Sequence, residues 1–318
     1  MRLQSHFAPD IMACMKKAFI TLTLLVALSW GLGRLYFETT AGFTLGNITS
    51  DFSYDPRFET KTDNMERIQK ILGQSWRYLG KGCQSYVFES DDGQYVMKFF
   101  KYQRFRTPRF LDWLSVVPQI NKYRMEKTAK KREKLDALFA SCALASNRLS
   151  DETGLVYVHL NKTADLNQIT TIYDKLGLAH RVNLDELEFM VQVKSEMLCP
   201  TLDRLVGEKK TTEAKKLLSR LVAMVADEYE KGLADNDHAL MQNTGVYQGQ
   251  PIHIDVGQFV VNEQMQLPQK AHQELYNKTY KFRIWLQENH PELKVHLESQ
   301  LREYMGPDFE TLTFIPKK

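Results

Sequence analysis

The sequence predicts an α+β fold in which a small antiparallel sheet precedes a mainly helical region, behind an N-terminal apolar segment. Three observations predict it. Apolar, β-prone runs alternate with turn signals between residues 76 and 100. Apolar residues recur at helical spacing from residue 212 onward. Residues 18–33 carry no charged side chain. The 318 residues leave room after that segment for one domain of about 250 residues with a substantial core.

Two glycines stand between the first two β-prone runs. The segment YLGKGCQSYVF, residues 78–88, contains Gly80 and Gly82, with Ser85 three residues further on. Glycine lets the backbone approach anionic oxygens without a Cβ clash. The next run, YVMKFF at 95–100, follows an Asp-Asp-Gly turn and completes a hairpin. Its Lys98 interrupts an apolar strand, and a buried lysine is costly unless it meets an anion. Alone, these residues also fit an ordinary turn and a strand-edge lysine.

The second half contains an amide and a carboxylate suited to a metal ion. Residues 188–197 predict a strand, and residues 200–205 begin a short helix. Residues 212–229 have one apolar helical face, with Gly232 as the expected C-cap. An acidic loop at 235–243 ends in Asn243, and the apolar strand at 251–257 ends in Asp255 before a glycine. Such a pair suits Mg²⁺, which takes few protein oxygens, although a strand followed by Asp and Gly is also a common turn.

The order of these elements resembles the protein-kinase-like superfamily over about residues 76–259. The run HIDVGQF, residues 253–259, is similar to the sites of phosphatidylinositol kinases and aminoglycoside phosphotransferases. The resemblance implies a bilobal fold and phosphoryl transfer that depends on ATP and Mg²⁺. It assigns the phosphates to Gly80, Gly82, Ser85 and Lys98, and Mg²⁺ to Asn243 and Asp255.

The acidic loop departs from the kinase pattern. Kinases place the catalytic aspartate five residues before the metal-binding asparagine, and that position is His238 here. We expect Asp237 to be the base, after a one-residue insertion, with Asp235 as the second choice and His238 as structural. The resemblance also implies a glutamate beside Lys98. We expect Glu133, in a helix over 127–149, ahead of Glu126; a solvated charge is an equal interpretation for both.

The irregular loop motivates an alternative function, a pseudokinase acting as a membrane-tethered binding or scaffold module. Only 61 residues follow Gly257, which leaves little room for the subdomain that docks peptides in ordinary protein kinases. The chain therefore resembles the compact, atypical members of the superfamily. The acceptor stays open between a protein and a lipid or small molecule, with a slight preference for the latter.

The N-terminal segment predicts a single-pass membrane protein. The expected division is a tail (1–17), a span or signal anchor (18–37), a linker (38–64), an N-lobe (65–197) and a helical C-lobe (198–318). A secretory signal peptide cut near residues 27–29, with secretion of the mature chain, is the alternative. Arg2, Lys16 and Lys17 favour a cytoplasmic N-terminus, which places the domain across the membrane, where ATP is scarce. The orientation is therefore left open.

Charge and cysteine content exclude other classes. The net charge is +3, but residues 101–134 carry eleven basic side chains and three acidic ones. This stretch predicts either a solvated helix face or contact with anionic lipid headgroups. We expect no nucleic-acid binding, because no recognition motif accompanies the charge. Four cysteines without a CxxC pair argue against a disulfide framework and a zinc site.

Overall fold

The structure is a computed structural model that describes residues 8–60, 62 and 64–316. Residues 1–7 of the predicted tail, with Arg2, lie outside the described residues, as do the last two residues of the predicted C-lobe. The helices are α1 Ala8–Thr40, α2 Leu45–Ile48, α3 Met65–Leu72, α4 Phe110–Trp113, α5 Pro118–Arg148, α6 Ser150–Thr153, α7 Leu198–Gly207, α8 Thr211–Glu230, α9 Leu240–Asn243, α10 Pro268–Asn289 and α11 Pro291–Met305. The strands are β1 Trp76–Lys81, β2 Ser85–Ser90, β3 Tyr95–Phe100, β4 Leu155–His159, β5 Ile169–Tyr173, β6 Ala179–Asn183, β7 Phe189–Val193, β8 Glu196–Met197, β9 Leu233–Asp235, β10 Thr244–Tyr247, β11 Gln250–His253 and β12 Phe259–Val261.

Seven strands form one sheet in the order β4-β7-β3-β2-β1-β5-β6. Its neighbouring pairs are antiparallel except β1 and β5, which run parallel with Trp76 opposite Ile172. The expected sheet was wholly antiparallel. The difference arises because the chain crosses from the edge strand β4 to β5, which lies between β1 and the opposite edge strand β6, and a crossover allows parallel pairing that a tight hairpin does not. The β5–β6 hairpin thus extends the sheet beside β1, as an insertion.

The long helix α5 covers one face of the sheet. It begins at Pro118, nine residues earlier than expected, with proline at a first-turn position where its missing N–H costs no hydrogen bond. Its C-terminal half has the expected buried side, formed by Leu135, Leu138, Phe139 and Cys142. These side chains pack with Phe100 from β3 and Val256 and Phe259 from the segment after β11, which joins the sheet to the helical region.

The helical region has its own core around α8, α10 and α11. The apolar face expected for residues 212–229 is buried, from Leu217 to Tyr229. After α8, Gly232 adopts a positive φ of 68°, which a residue with a side chain rarely tolerates, and the chain turns there into β9. Two small sheets, β11-β10-β8 and β12-β9, carry the acidic loop and the segment around Asp255.

The apolar segment is helical and exposed. Within the described residues, Cys14–Thr40 is long and apolar enough to cross a membrane, and none of its most apolar window is buried in the protein. A signal sequence shares these properties. The structure therefore contains one candidate span, which extends beyond the expected 18–37.

The first part of the segment expected as a linker (38–64) packs onto the sheet. Phe43 and Ile48 are buried in the sheet core, and the Tyr86 hydroxyl donates a hydrogen bond to the Gly42 carbonyl at 2.5 Å. The Lys81 ammonium donates to the Ala41 carbonyl at 3.0 Å and lies 3.8 Å from the centre of the Phe37 ring. The end of α1 is thereby joined to the end of β1.

Candidate functional site

A cavity of about 390 Å³ lies between the sheet and the β10–β11 hairpin. Side chains from three distant segments line it, and they include most of the expected site residues: Gly80, Gly82, Ser85, Lys98, Asn243 and Asp255. Leu79, Val87, Met190 and Met197 add apolar surface. The cavity thus combines apolar walls with a small number of charged and amide groups, as ligand sites commonly do.

The turn between β1 and β2 forms one wall. Gly80 lies at a break in the β1–β2 register, a bulge, and a methyl group in its place would meet no atom within 4 Å. The Gly82 amide donates to the Ser85 carbonyl at 3.0 Å, which closes the turn. No packing contact among the described residues therefore requires glycine at position 80, and the space above its backbone is open.

Two cations just after β3 hold this turn from outside. Lys101 donates to the Gly82 carbonyl, and Arg104 donates to the Cys83 carbonyl. Burial, as the largest cause, and the neighbouring charges of Lys81 and Arg104 together lower the pKa of Lys101 to about 8. The basic stretch 101–134 includes Lys101 and Arg104, and their position directly after the strand of Lys98 is the sequence signal for this role.

Lys98 projects into the cavity from β3, a strand paired with β2 and β7. Its ammonium donates a hydrogen bond to the Ile254 carbonyl, next to Asp255. Burial lowers the pKa of Lys98 to about 8, against the opposite effect of the Asp255 carboxylate. A cation held in this way is poorly hydrated, and an anion in the cavity would interact with it strongly.

The β10–β11 hairpin brings Asn243 and Asp255 together. Asn243 ends α9, and its carbonyl accepts a hydrogen bond from the Ile254 amide at 2.8 Å. Among the described residues, the Asp255 carboxylate accepts one hydrogen bond, from the Gly257 amide at 3.1 Å. Its remaining lone pairs are available to a cation. The described part of the chain contains no group of three or more His, Cys, Asp or Glu side chains that could hold a metal. One amide and one carboxylate fit Mg²⁺, which keeps several non-protein ligands.

A buried pair supports Asp255 from behind. His253 Nε2 lies 2.5 Å from Glu228 Oε1, with both side chains almost fully buried. The Gln192 amide also donates to the His253 carbonyl at 2.7 Å. These contacts fix the end of β11 to α8 and β7, so the position of Asp255 is set by the core.

Gln84 adds an acceptor that the sequence analysis missed. Its Oε1 atom is buried and has no hydrogen-bond partner within the described residues. A methyl group at Gly257 would come within 2.8 Å of Leu138 Cδ1 and closer still to Gln84 Oε1, so the two segments are in close contact. An unpaired buried acceptor costs about 1–3 kcal/mol. The oxygen therefore fits a site for a cation or a hydrogen-bond donor. In the sequence, the position of Gln84 between Gly82 and Ser85 is the feature that could have indicated this role.

Helix α5 does not bring a glutamate to Lys98. Glu133 and Glu126 are exposed and do not line the cavity. Cys142, which faces Lys98 and has its pKa raised by burial, lies nine residues beyond Glu133, about 13 Å along the helix axis. The neighbouring Ser141 hydroxyl donates to the Val256 carbonyl at 2.5 Å and accepts from the Phe259 amide at 2.6 Å. The helix thus positions the Asp255 segment through a hydroxyl group.

The acidic loop lines the cavity with its last two residues, Gln242 and Asn243, whereas its aspartates lie outside the wall. Asp235 is buried in an ion pair with Lys278, Oδ2 to Nζ 2.7 Å, and its Oδ1 accepts from the Asp237 amide at 3.0 Å. Asp237 is partly exposed, and its Oδ1 accepts from the Ala239 amide at 2.8 Å. His238 pairs with Glu274 at 2.6 Å. Asp235 is therefore committed to Lys278, and Asp237 is the more available carboxylate.

Comparisons with known proteins give only distant structural neighbours. No family model matches the chain, and no curated protein matches it. Matching solved structures include WbdD with the kinase inhibitor LY294002 (13% identity, TM-score 0.36, covering 70% of this chain and 44% of that chain). The bifunctional kinase-methyltransferase WbdD matches at 13% identity and TM-score 0.36, covering 72% and 46%. Rv3197 with erythromycin, from Mycobacterium tuberculosis, matches at 13% identity and TM-score 0.33, covering 89% and 75%.

The chain spans less than half the length of the WbdD chains it matches. TM-scores this low carry no argument about function. The order of the elements along this chain is an observation that does not depend on those neighbours. A glycine turn, a strand lysine, a covering helix, an acidic loop and a hairpin ending in Asp255 surround one cavity in chain order. This is the order of elements that the sequence resemblance implies.

Proposed function

We propose that the chain is a membrane-anchored, bilobal kinase-like phosphotransferase that uses ATP and Mg²⁺. One observation carries the proposal: the glycine turn, Lys98, Asn243 and Asp255 come from separate segments and line the same cavity. A cation, a carboxylate and an open backbone turn are the groups that bind a nucleoside triphosphate with its metal.

Each group has a distinct role in this proposal. The open space at Gly80 admits phosphate oxygens close to the backbone, and Lys98 offsets their charge. Asn243, Asp255 and Gln84 would hold Mg²⁺, which supplies further charge neutralisation when bound. The adenine ring of ATP would lie between the apolar side chains of Leu79, Val87, Met190 and Met197. Positioning and charge stabilisation carry most of the catalysis in phosphoryl transfer.

Asp237 is the proposed base that orients the acceptor hydroxyl and takes its proton. A positioned base typically contributes ~10²–10⁴-fold. The Lys278–Asp235 pair leaves Asp237 as the carboxylate nearest solvent in this loop. The acceptor is proposed to be a lipid or another small molecule, since the helices after residue 268 form a compact pair that packs on α8.

A second candidate function is a pseudokinase that binds nucleotide without transferring phosphate. Three observations favour it. Lys98 contacts a backbone carbonyl, and Cys142 and Leu138 occupy the part of α5 nearest the cavity. Asp237 also stands outside the cavity wall. A membrane-tethered binding module would keep Lys98 and Asp255 and have no use for the base.

Nucleotide binding by the full chain in detergent or nanodiscs tests the first step. Binding at 100 times Kd stabilises a protein by about 2.7 kcal/mol, which raises the Tm of a domain this size by about 5–10 °C. We expect such a shift with ATP and Mg²⁺, a smaller one without Mg²⁺, and none in Lys98→Ala or Asp255→Ala. Lys70→Ala is the matched control, because Lys70 is an exposed lysine that pairs with Glu66 on the same helix.

Turnover separates the two candidates. Phosphate transfer or ATP hydrolysis that falls at least about 100-fold in Asp237→Ala, with binding unchanged, supports the enzyme and its base. ATP binding without turnover supports the pseudokinase. A full rate in Asp237→Ala would show that the base is misassigned. A chain that melts at the same temperature with and without ATP refutes both candidates.

A further inference from the structure

A cluster of exposed apolar side chains follows β3 and is not explained by the cavity. Within the eight residues 110–117, Trp113 and Val116 are 80% and 85% exposed. The cluster, here called the apolar patch, consists of Phe110, Trp113, Leu114, Val116 and Val117. Leu111 alone among the large apolar residues of this segment is buried and fixes it to the protein. Contiguous exposed apolar surface of this kind marks a binding surface.

Basic side chains precede and follow the patch along the chain. The nearest acid, Asp112, is paired with Arg124 at 3.1 Å, while Arg109, Lys122, Lys130 and Lys134 are exposed. The pKa of Lys131 is lowered by burial and by the charges of Lys127 and Lys134. A solvated helix face accounts for such charges, but it does not account for five exposed apolar side chains beside them.

The patch is also held near the end of the candidate span. The Arg106 side chain donates to the Gly46 carbonyl at 2.7 Å and to the Thr49 carbonyl, within ten residues of the end of α1. Lys131 donates to the Arg104 carbonyl at 2.5 Å, which ties α5 to the same segment. Only three residues separate Arg106 from Phe110.

We propose that residues 109–117 dock on the surface of a bilayer that contains anionic lipid. The apolar patch enters the boundary between headgroups and acyl chains, and Arg109, Lys122, Lys130 and Lys134 contact the anionic headgroups. Amphipathic segments bind membranes by this combination of apolar burial and charge attraction. The proposal rests on the membrane attachment proposed above but is independent of nucleotide binding and catalysis.

Tryptophan quenching tests the docking directly. The full chain carrying Trp30→Phe is placed in nanodiscs of brominated phosphatidylcholine, with or without about a third of phosphatidylglycerol. Trp30 is removed because it lies in the candidate span, and Trp76 is fully buried. We expect a loss of emission that requires phosphatidylglycerol and disappears when Trp113→Phe is added. Trp285→Phe, which changes a distant half-buried tryptophan, is the matched control.

Charge and alternative partners are tested with the same preparation. Combined replacement of Lys122, Lys130 and Lys134 by glutamate is expected to abolish the lipid-dependent loss without changing the melting temperature or ATP binding. If α1 does not insert into nanodiscs, the same chain is mixed with vesicles of the two lipid compositions. We expect it to co-sediment only with the vesicles that contain phosphatidylglycerol. The proposal is overturned if the lipid-dependent quenching persists in Trp113→Phe, or if quenching is equal in both lipids. If Trp113 is not quenched at all, the patch binds a protein partner instead.

Discussion

Gly80→Ala tests whether phosphates lie against the glycine turn. In the free protein the added methyl group meets no atom within 4 Å, so we expect the free energy of unfolding to change by no more than about 0.5 kcal/mol. If a phosphate oxygen occupies that space, the methyl group overpacks the complex alone. Overpacking costs about 1–3 kcal/mol, which corresponds to ATP affinity weaker by about 5- to 150-fold.

Gly257→Ala is the contrasting variant for the same assay. Its methyl group would lie 2.8 Å from Leu138 Cδ1, so the overpacking cost falls on the free protein and lowers its Tm by about 2–12 °C. The assay is thermal melting of both variants over a titration with ATP and Mg²⁺. A Gly80→Ala protein that melts normally and binds ATP with unchanged affinity would refute the placement of phosphates at this turn.

Two more predictions concern buried lysines. Because burial lowers the pKa of Lys98 to about 8, the charged form that attracts phosphate is lost as pH rises through that value. We therefore expect the ATP affinity, measured by calorimetry, to fall about tenfold from pH 7 to pH 9. An affinity that stays constant over this range contradicts the prediction. Lys278→Met leaves Asp235 buried without its partner and should destabilise the protein by about 3–5 kcal/mol, measured by urea denaturation. The double variant Lys278→Met/Asp235→Leu should recover most of that loss. If the single and double variants lose the same stability, Lys278 does not act through the ion pair.

The residues that could be anticipated from sequence are those fixed by local pattern. Gly80, Gly82 and Ser85 sit in a turn between paired strands, and hairpin geometry alone brings Lys98 alongside. Asn243 and Asp255 are joined by a second hairpin, so their separation in space follows from its length. The helices after residue 211 can also be predicted from the sequence, because their apolar faces repeat over several turns.

The partners of Lys98 and Asp235 could not be anticipated in the same way. Which residue of α5 reaches Lys98 depends on how far the helix slides along the sheet, and apolar spacing fixes the buried face but not this translation. Glu133 shares no contact with the cavity for that reason. Lys278 lies 43 residues beyond Asp235, and no local signal distinguishes it from the other lysines of α10. Among the described residues the Gln84 acceptor has no hydrogen-bond partner, so no pairing pattern in the sequence points to it.

The burial of Phe43 and Ile48 in the sheet core has a practical and a geometric consequence. The folded unit begins by residue 41, so a shortened chain that starts at Asp51 would lose the buried side chains of Phe43 and Ile48 and expose the faces of Tyr86 and Phe88. Since α1 ends at Thr40, two residues separate the candidate span from the first core side chain. A chain anchored through α1 would therefore hold its glycine turn at a fixed height above the lipid, without a flexible stalk, and would select acceptors that come to the membrane surface.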